Sequence, residues 1–357
     1  MHPAYSCPSA HRVATDAKEF ECPDQPANCC CSSLPPRRPG RPSPRPACLT
    51  YPTTSPAIST RTITPCSRSI GRYWKAKTGE SVELKQSHAG SSKQVRAVAD
   101  GLEADVVTMN QASDVDFLVE KGLVVSDYAR KFPNNASPYT STMIFIVRKG
   151  NPKALRDWSD LVKPGTQVIL PHPKNTGNGR YSYLAAWGYA LRQPGGNDKS
   201  ALEFVARLLK NAPLFASGGR DATTTFMQRK IGDVLVSYES EAELIAKEFG
   251  KGEFDIVYPS QSILAEFPVA IVEKVVDKKG TRKLAQAYLD YLWSKEGQQN
   301  AADNYLRPRD DELLKKYAPQ FPPIRTFTVD ELFGGWAKAT PTHFRDGGTF
   351  DQIYQSK

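Results

Sequence analysis

The chain has 357 residues, room for two domains, and a formal net charge of +9. That charge is local: residues 25–79 hold nine basic residues and no acid, and the rest carries 38 of each sign. The neutral remainder excludes a nucleic-acid binder built on a general basic excess, and the absence of an 18-residue apolar run excludes a transmembrane helix.

Residues 1–66 stand apart in composition. All seven cysteines and thirteen of the 28 prolines lie there. No C-x-x-C pair or partnered His suggests zinc, and no hydrophobic period is present. The segment reads as disordered or aberrant. It contains no 7–15-residue apolar core, so the sequence as written shows no signal peptide.

From about Ser67 strands and helices alternate, which predicts an α/β fold with mostly parallel sheets. The strand Val82–Leu84 is followed by Gln86-Ser87-His88-Ala89-Gly90-Ser91-Ser92-Lys93. A helix then carries Val95, Val98, Ala99 and Leu102 on one face. A small polar loop opening into a helix start leaves backbone N–H groups unpartnered at the positive end of the helix dipole. An anion can sit there. The loop is no Walker A motif, because Gln94 follows Lys93.

The pattern recurs twice. Strand Val168–Leu170 leads through Pro173-Lys174-Asn175-Thr176-Gly177-Asn178-Gly179-Arg180 into a helix over 179–191. Ala216-Ser217-Gly218-Gly219-Arg220-Asp221 opens the helix Thr223–Arg229. For each loop taken alone a capped turn explains the residues equally well. If the fold gathers the three, they make one anion site at the carboxyl ends of strands. Further strands are expected at Asp105–Met109, Ser141–Val147, Asp233–Tyr238, Phe254–Val257 and Val269–Val272. Further helices are expected at Asp114–Lys121, Ser200–Asn211, Glu239–Phe249, Lys283–Trp293 and Lys295–Tyr305. Extended crossings near Tyr139–Arg148 and Ser262–Val272 divide the body into two lobes: 67–142 with 262–357, and 143–261.

Catalytic patterns are thin. Ser87 and His88 are adjacent, so on a strand they point to opposite faces and form no dyad. There is no G-x-S-x-G and no H-E-x-x-H. His88 and His172 sit in the anion loops and read as loop-bonded side chains. No catalytic residue, cofactor or metal is expected.

Several runs carry a resemblance. They are Gln86–Gln94, Ala136–Thr142, Val147–Lys153, Tyr183–Ala190, Ser262–Pro268, Tyr305–Arg309 and Phe333–Ala337. In one order, over about Tyr73 to Gln355, they resemble the periplasmic sulfate-binding proteins of sulfate/thiosulfate ABC transporters. The resemblance implies a two-lobed type II periplasmic binding fold that closes about a hinge. It implies a monomer in the periplasm, with sulfate or thiosulfate as ligand and membrane permease subunits as partners. No enzyme activity and no nucleic acid are implied. A sulfur-oxyanion enzyme on the same scaffold is the alternative of a different class.

Family contacts are helix-start N–H groups, a serine hydroxyl and an indole N–H. By motif the serine falls on Ser91, the paired glycines on Gly177 and Asn178, and the next N–H on Gly219. The indole position holds Tyr238, a departure that makes thiosulfate a serious option. Relatives also begin with a strand and a segment like N-V-S-Y-D-P-T-R-E-L-Y, whose Asp adds an N–H. Here Cys48–Ile70 stands instead, so the first lobe is expected to lack its central strand. The composition change suggests that residues before about Tyr73 are translated in a shifted frame. Finding no such segment in the other two frames of the coding DNA contradicts this.

Overall fold

The computed structural model describes residues 47–53, 63–88, 90–250 and 252–355. All of them fall in one compact unit spanning 46–357. The chain begins with β1 (Ala47–Thr53), α1 (Ile63–Thr78), β2 (Val82–His88), α2 (Ser91–Ala99), β3 (Val106–Thr108) and α3 (Ala112–Glu120). Two single turns, α4 (Tyr128–Lys131) and α5 (Pro133–Ala136), lead to β4 (Tyr139–Arg148). Then come α6 (Trp158–Leu161), β5 (Val168–Pro171), α7 (Gly177–Leu191), α8 (Asp198–Lys210), β6 (Phe215–Ala216), α9 (Gly219–Met227), β7 (Val234–Tyr238), α10 (Glu239–Phe249) and β8 (Phe254–Val257). The chain continues through β9 (Gln261–Glu266), β10 (Val269–Ile271), α11 (Glu273–Lys279), α12 (Arg282–Leu292) and α13 (Lys295–Asp303). It closes with β11 (Arg307–Pro308), α14 (Asp311–Lys316), β12 (Arg325–Phe327), α15 (Val329–Phe333), α16 (Trp336–Ala339), a π-turn over Thr340–Phe344 and α17 (Thr349–Gln355).

Two sheets result. The first runs β10-β3-β1-β2, with β1 parallel to both β2 and β3 and β10 antiparallel to β3. The second runs β12-β9-β4-β7-β5-β6, with β8 and β11 also on β4. Its β5, β6 and β7 are parallel, as βαβ crossovers through α7 to α9 require. The long β4 pairs antiparallel with β7, β8, β9 and β11.

Two expectations need correction. The first sheet does have a central strand: β1 pairs with β2 over seven residues, Ala47↔Val82 to Thr53↔His88. Leu49, Thr50 and Tyr51 favour extended backbone, which the lack of a hydrophobic period and the Ser, Thr, Pro and Arg around them conceal in the sequence. Residues 63–66, also read as unstructured, form the first turn of α1. Residues 1–46 and 54–62, also expected to be disordered or aberrant, lie outside the described residues, as does most of the segment for which a shifted frame is suggested. The second correction concerns the residues after 262, all of which were assigned to the first lobe. The second sheet takes β9, β11 and β12, and the chain returns to the first sheet at β10, across Phe267-Pro268.

Helix patterning explains the packing. In α8 the buried residues Ala201, Phe204, Val205, Leu208 and Leu209 form one stripe. Asn197 and Ser200 start the helix with a reciprocal capping box. By contrast α7 is buried on every side, because it runs between α8, β9 and the C-terminal segment. Gly188 permits this, since a Cβ there would lie 2.3 Å from Phe327 Cζ. Trp158 fixes α6 on β4 by an edge-on contact with Phe145 at 4.9 Å. Its indole donates to the Gln261 carbonyl at 3.0 Å. Among the described residues no helix is long and apolar enough to cross a membrane.

Candidate functional site

The starts of α2, α7 and α9 open into one cleft of about 590 Å³. Each follows a parallel strand: β2, β5 and β6 respectively. Ser91, Gly177, Asn178 and Gly219 all line it. The first-turn N–H groups of these helices have no acceptor one turn back. Glycine caps α2 and α9, and neither cap offers a side-chain oxygen. In α7 Thr176 is the cap, and its Oγ1 accepts from Gly179 N at 3.0 Å. Gly177 and Asn178, one and two residues into the helix, have no helical acceptor for their N–H groups, and both residues line the cleft.

The side chains fix this backbone from behind. The Asn178 amide donates to Ser237 Oγ, and its oxygen accepts from Ser182 Oγ, both at 3.2 Å. Asn178 therefore ties α7 to β7. The Thr176 hydroxyl donates to the His172 carbonyl at 3.0 Å. His172 Nδ1 accepts from Lys174 N at 3.2 Å, and its ring packs edge-on against Phe215 and Phe350. Burial pulls the His172 pKa down, which favours the neutral acceptor. Lys174 Nζ reaches Asp346 and Asp351 at 2.7 and 2.9 Å, so the C-terminal segment holds the loop that starts α7. The side chain of His88 lies outside what is described.

The two sheets meet beside the site. Ser92 Oγ donates to the Asn175 carbonyl at 3.4 Å. A Cβ on Gly177 would lie 2.8 Å from Asn110 Cβ, so glycine is what lets α7 approach the end of β3. Arg180 Nη1 stands 3.7 Å from Asp114 Oδ1. Burial lowers the Arg180 pKa and raises that of Asp114, while each partner opposes the other's shift.

Among the described residues the Tyr238 hydroxyl is one of the buried hydroxyls without a protein partner, on a residue 2% exposed; the equally buried Ser91 hydroxyl hydrogen-bonds Asp114 and so opposes the upward shift that burial gives that carboxyl. Tyr238 does not line the cleft. It ends β7, next to the Ser237 that holds Asn178, with its ring against Tyr181 and Phe267. Burial pushes its pKa well above the ordinary phenol value, so the O–H is retained. Thr176 and Arg180, both within the second of the loops read from the sequence, line the cleft, and so does Asn110, which the sequence did not single out. Thr176 carries a legible signal, a β-hydroxyl directly before a glycine-rich helix start. Asn110 carries none, since only the tertiary fold brings it to the cleft. Among the described residues no cluster of three or more His, Cys, Asp or Glu could hold a metal.

The cleft brings three helix starts to one place. Comparison with known proteins gives the family. A family profile described as bacterial extracellular solute-binding protein matches residues 57–307. A thiosulfate-binding protein of Pseudomonas aeruginosa is 60% identical over 284 residues, 79% of this chain and 85% of the relative. A sulfate-binding protein of Escherichia coli is 53% identical over 80% of this chain and 87% of its own length. The solved sulfate-binding protein of Mycobacterium tuberculosis superposes with a TM-score of 0.72 at 31% identity, covering 84% of this chain and 99% of that one.

Proposed function

The chain belongs to the bacterial extracellular solute-binding proteins, and on that premise we propose that it captures sulfate between its two sheets for an ABC importer. The observation that carries this reading is the convergence of three helix N-termini on one cleft. A buried dianion needs partners. A hydrogen bond to a charged group contributes about 1.5–3 kcal/mol. Four of them, from the N–H groups of Ser91, Gly177, Asn178 and Gly219, give on the order of 6–12 kcal/mol before ordering costs. Micromolar affinity needs about 8 kcal/mol.

The lobes in this reading are the first sheet with α1 to α3 and the second sheet with α7 to α10. Capture closes them by bending where the chain crosses between the sheets, at 137–138, at 267–268 and between α13 and β11. Permease subunits in the membrane then receive the anion from a periplasmic monomer. Thiosulfate is the second reading. It is favoured by Tyr238 at the position where the resemblance places an indole, and by the thiosulfate-binding relative.

Calorimetric titration of the purified protein with sulfate, thiosulfate and phosphate at pH 7 tests the proposal. A site made of donors leaves a protonated phosphate O–H without an acceptor, which costs about 1–3 kcal/mol. Sulfate or thiosulfate is expected to bind roughly ten- to a hundredfold tighter than phosphate. Equal affinities, or no heat with either sulfur anion, would contradict it.

A further inference from the structure

The stretches of chain that cross between the sheets, at 137–138, at 267–268 and between α13 and β11, are held together by two side chains. Arg309, just past β11, donates from Nε to the Ser137 carbonyl at 3.1 Å and from Nη2 to Glu266 Oε1 at 2.7 Å. Glu266 is the last residue of β9, directly before the second crossing. Gln298, buried on α13, donates to the carbonyls of Pro138 and Leu292, both at 2.8 Å. Its oxygen accepts from Arg309 N at 2.6 Å and from Asp310 N at 3.3 Å. A side-chain amide has two N–H donors and two acceptor sites, so every position on Gln298 is used. Bending one crossing alone would stretch a bond to another.

Another side chain reaches this clasp from the anion cleft. Tyr181 lies one turn beyond Gly177 in α7. Its buried hydroxyl accepts from Glu266 N and donates to the Glu266 carbonyl, both at 3.2 Å. The Trp336 ring stands edge-on to it at 5.2 Å, and the indole N–H bonds the same oxygen. The helix whose first turn lines the cleft is thereby fixed to the residue that Arg309 grips.

We infer that Tyr181 is a positioning residue for capture: through Glu266 it passes a shift of the α7 start to the hinge, where Arg309 and Gln298 make the crossings bend as one. The coupling rests on the proposed anion capture; the clasp does not.

Amide hydrogen exchange and calorimetry with sulfate test both on the full chain, with Tyr181→Phe, Arg309→Gln, their double variant and Thr142→Val as a control. Thr142 donates to the Ile263 carbonyl of β9 at 2.9 Å, so its loss costs β9 a buried hydrogen bond away from α7. In the unliganded protein Arg309→Gln is expected to speed exchange about tenfold at residues 137–140, 266–269 and 305–309 together. A rise confined to the neighbours of residue 309 would overturn the clasp. Tyr181→Phe is expected to weaken sulfate binding about fivefold. The double variant should lose no more than the weaker-binding single one, because both act through Glu266. Thr142→Val should melt at a lower temperature and keep its sulfate affinity within about twofold. Additive losses in the double variant, or a loss in Thr142→Val equal to that in Tyr181→Phe, would overturn the coupling and leave a general weakening of the fold. Linked exchange in a protein that binds no sulfate would keep the clasp and overturn sulfate capture, and the coupling with it.

Discussion

Gly177 and Tyr238 are constrained in opposite ways. At Gly177 the constraint is steric, since any Cβ would meet Asn110. At Tyr238 it is polar, since a hydroxyl is buried without a partner. Leaving such a donor unpaired costs about 1–3 kcal/mol, and a phenylalanine there removes that cost. Tyr238→Phe is expected to change sulfate and thiosulfate affinity less than about threefold, because the residue does not line the cleft, while the unliganded protein melts at the same temperature or higher. A tenfold loss of affinity would place the hydroxyl on the ligand. The glycines of the site were legible because small residues before a helix pattern mark a close backbone approach. The depth of Tyr238 was not, because strand alternation gives a face and not a distance from the cleft.

At the scale of elements, the long periodic helices and the strands entering them read directly from sequence. α10 and β8 match their expected bounds, at 239–249 and 254–257. The short elements after α13 did not, since four to seven residues fall below the span over which a period declares itself. That segment nevertheless braces the site. α17 and the π-turn pack on α7 and α8, and His343 sits among Trp187, Tyr183 and Phe333, with Nδ1 bonded to the Tyr183 hydroxyl at 3.2 Å. Burial lowers the His343 pKa to about 4. The unfolded chain takes up this proton near pH 6.5, so the stabilisation is complete above that pH. It is lost as the pH falls toward 4, by up to about 3 kcal/mol. Urea unfolding at pH 7 and pH 4.5 should show this fall in the wild type and a shallower one in His343→Gln. Parallel falls would contradict the assignment.

At the scale of the molecule, the two-sheet architecture followed from the alternation of strands and helices. What sequence did not convey was how the chain divides between the sheets. β4 and β9 looked like crossings, yet they are the middle of the second sheet, with the passage displaced to Phe267-Pro268. A strand buried among antiparallel neighbours has the same apolar run whichever sheet owns it. β1 was illegible for a different reason: seven residues in a proline-rich segment find their place only against β2. The consequence for function is that three loops, at residues 90, 176 and 218, face one cleft.

The most direct test of that convergence is a crystal structure grown with selenate, a sulfate analogue with a strong anomalous signal. The account predicts a single strong selenium peak whose oxygens lie within hydrogen-bond distance of the N–H groups of Ser91, Gly177, Asn178 and Gly219. A peak that contacts only one of the three helix starts, or none, would contradict it.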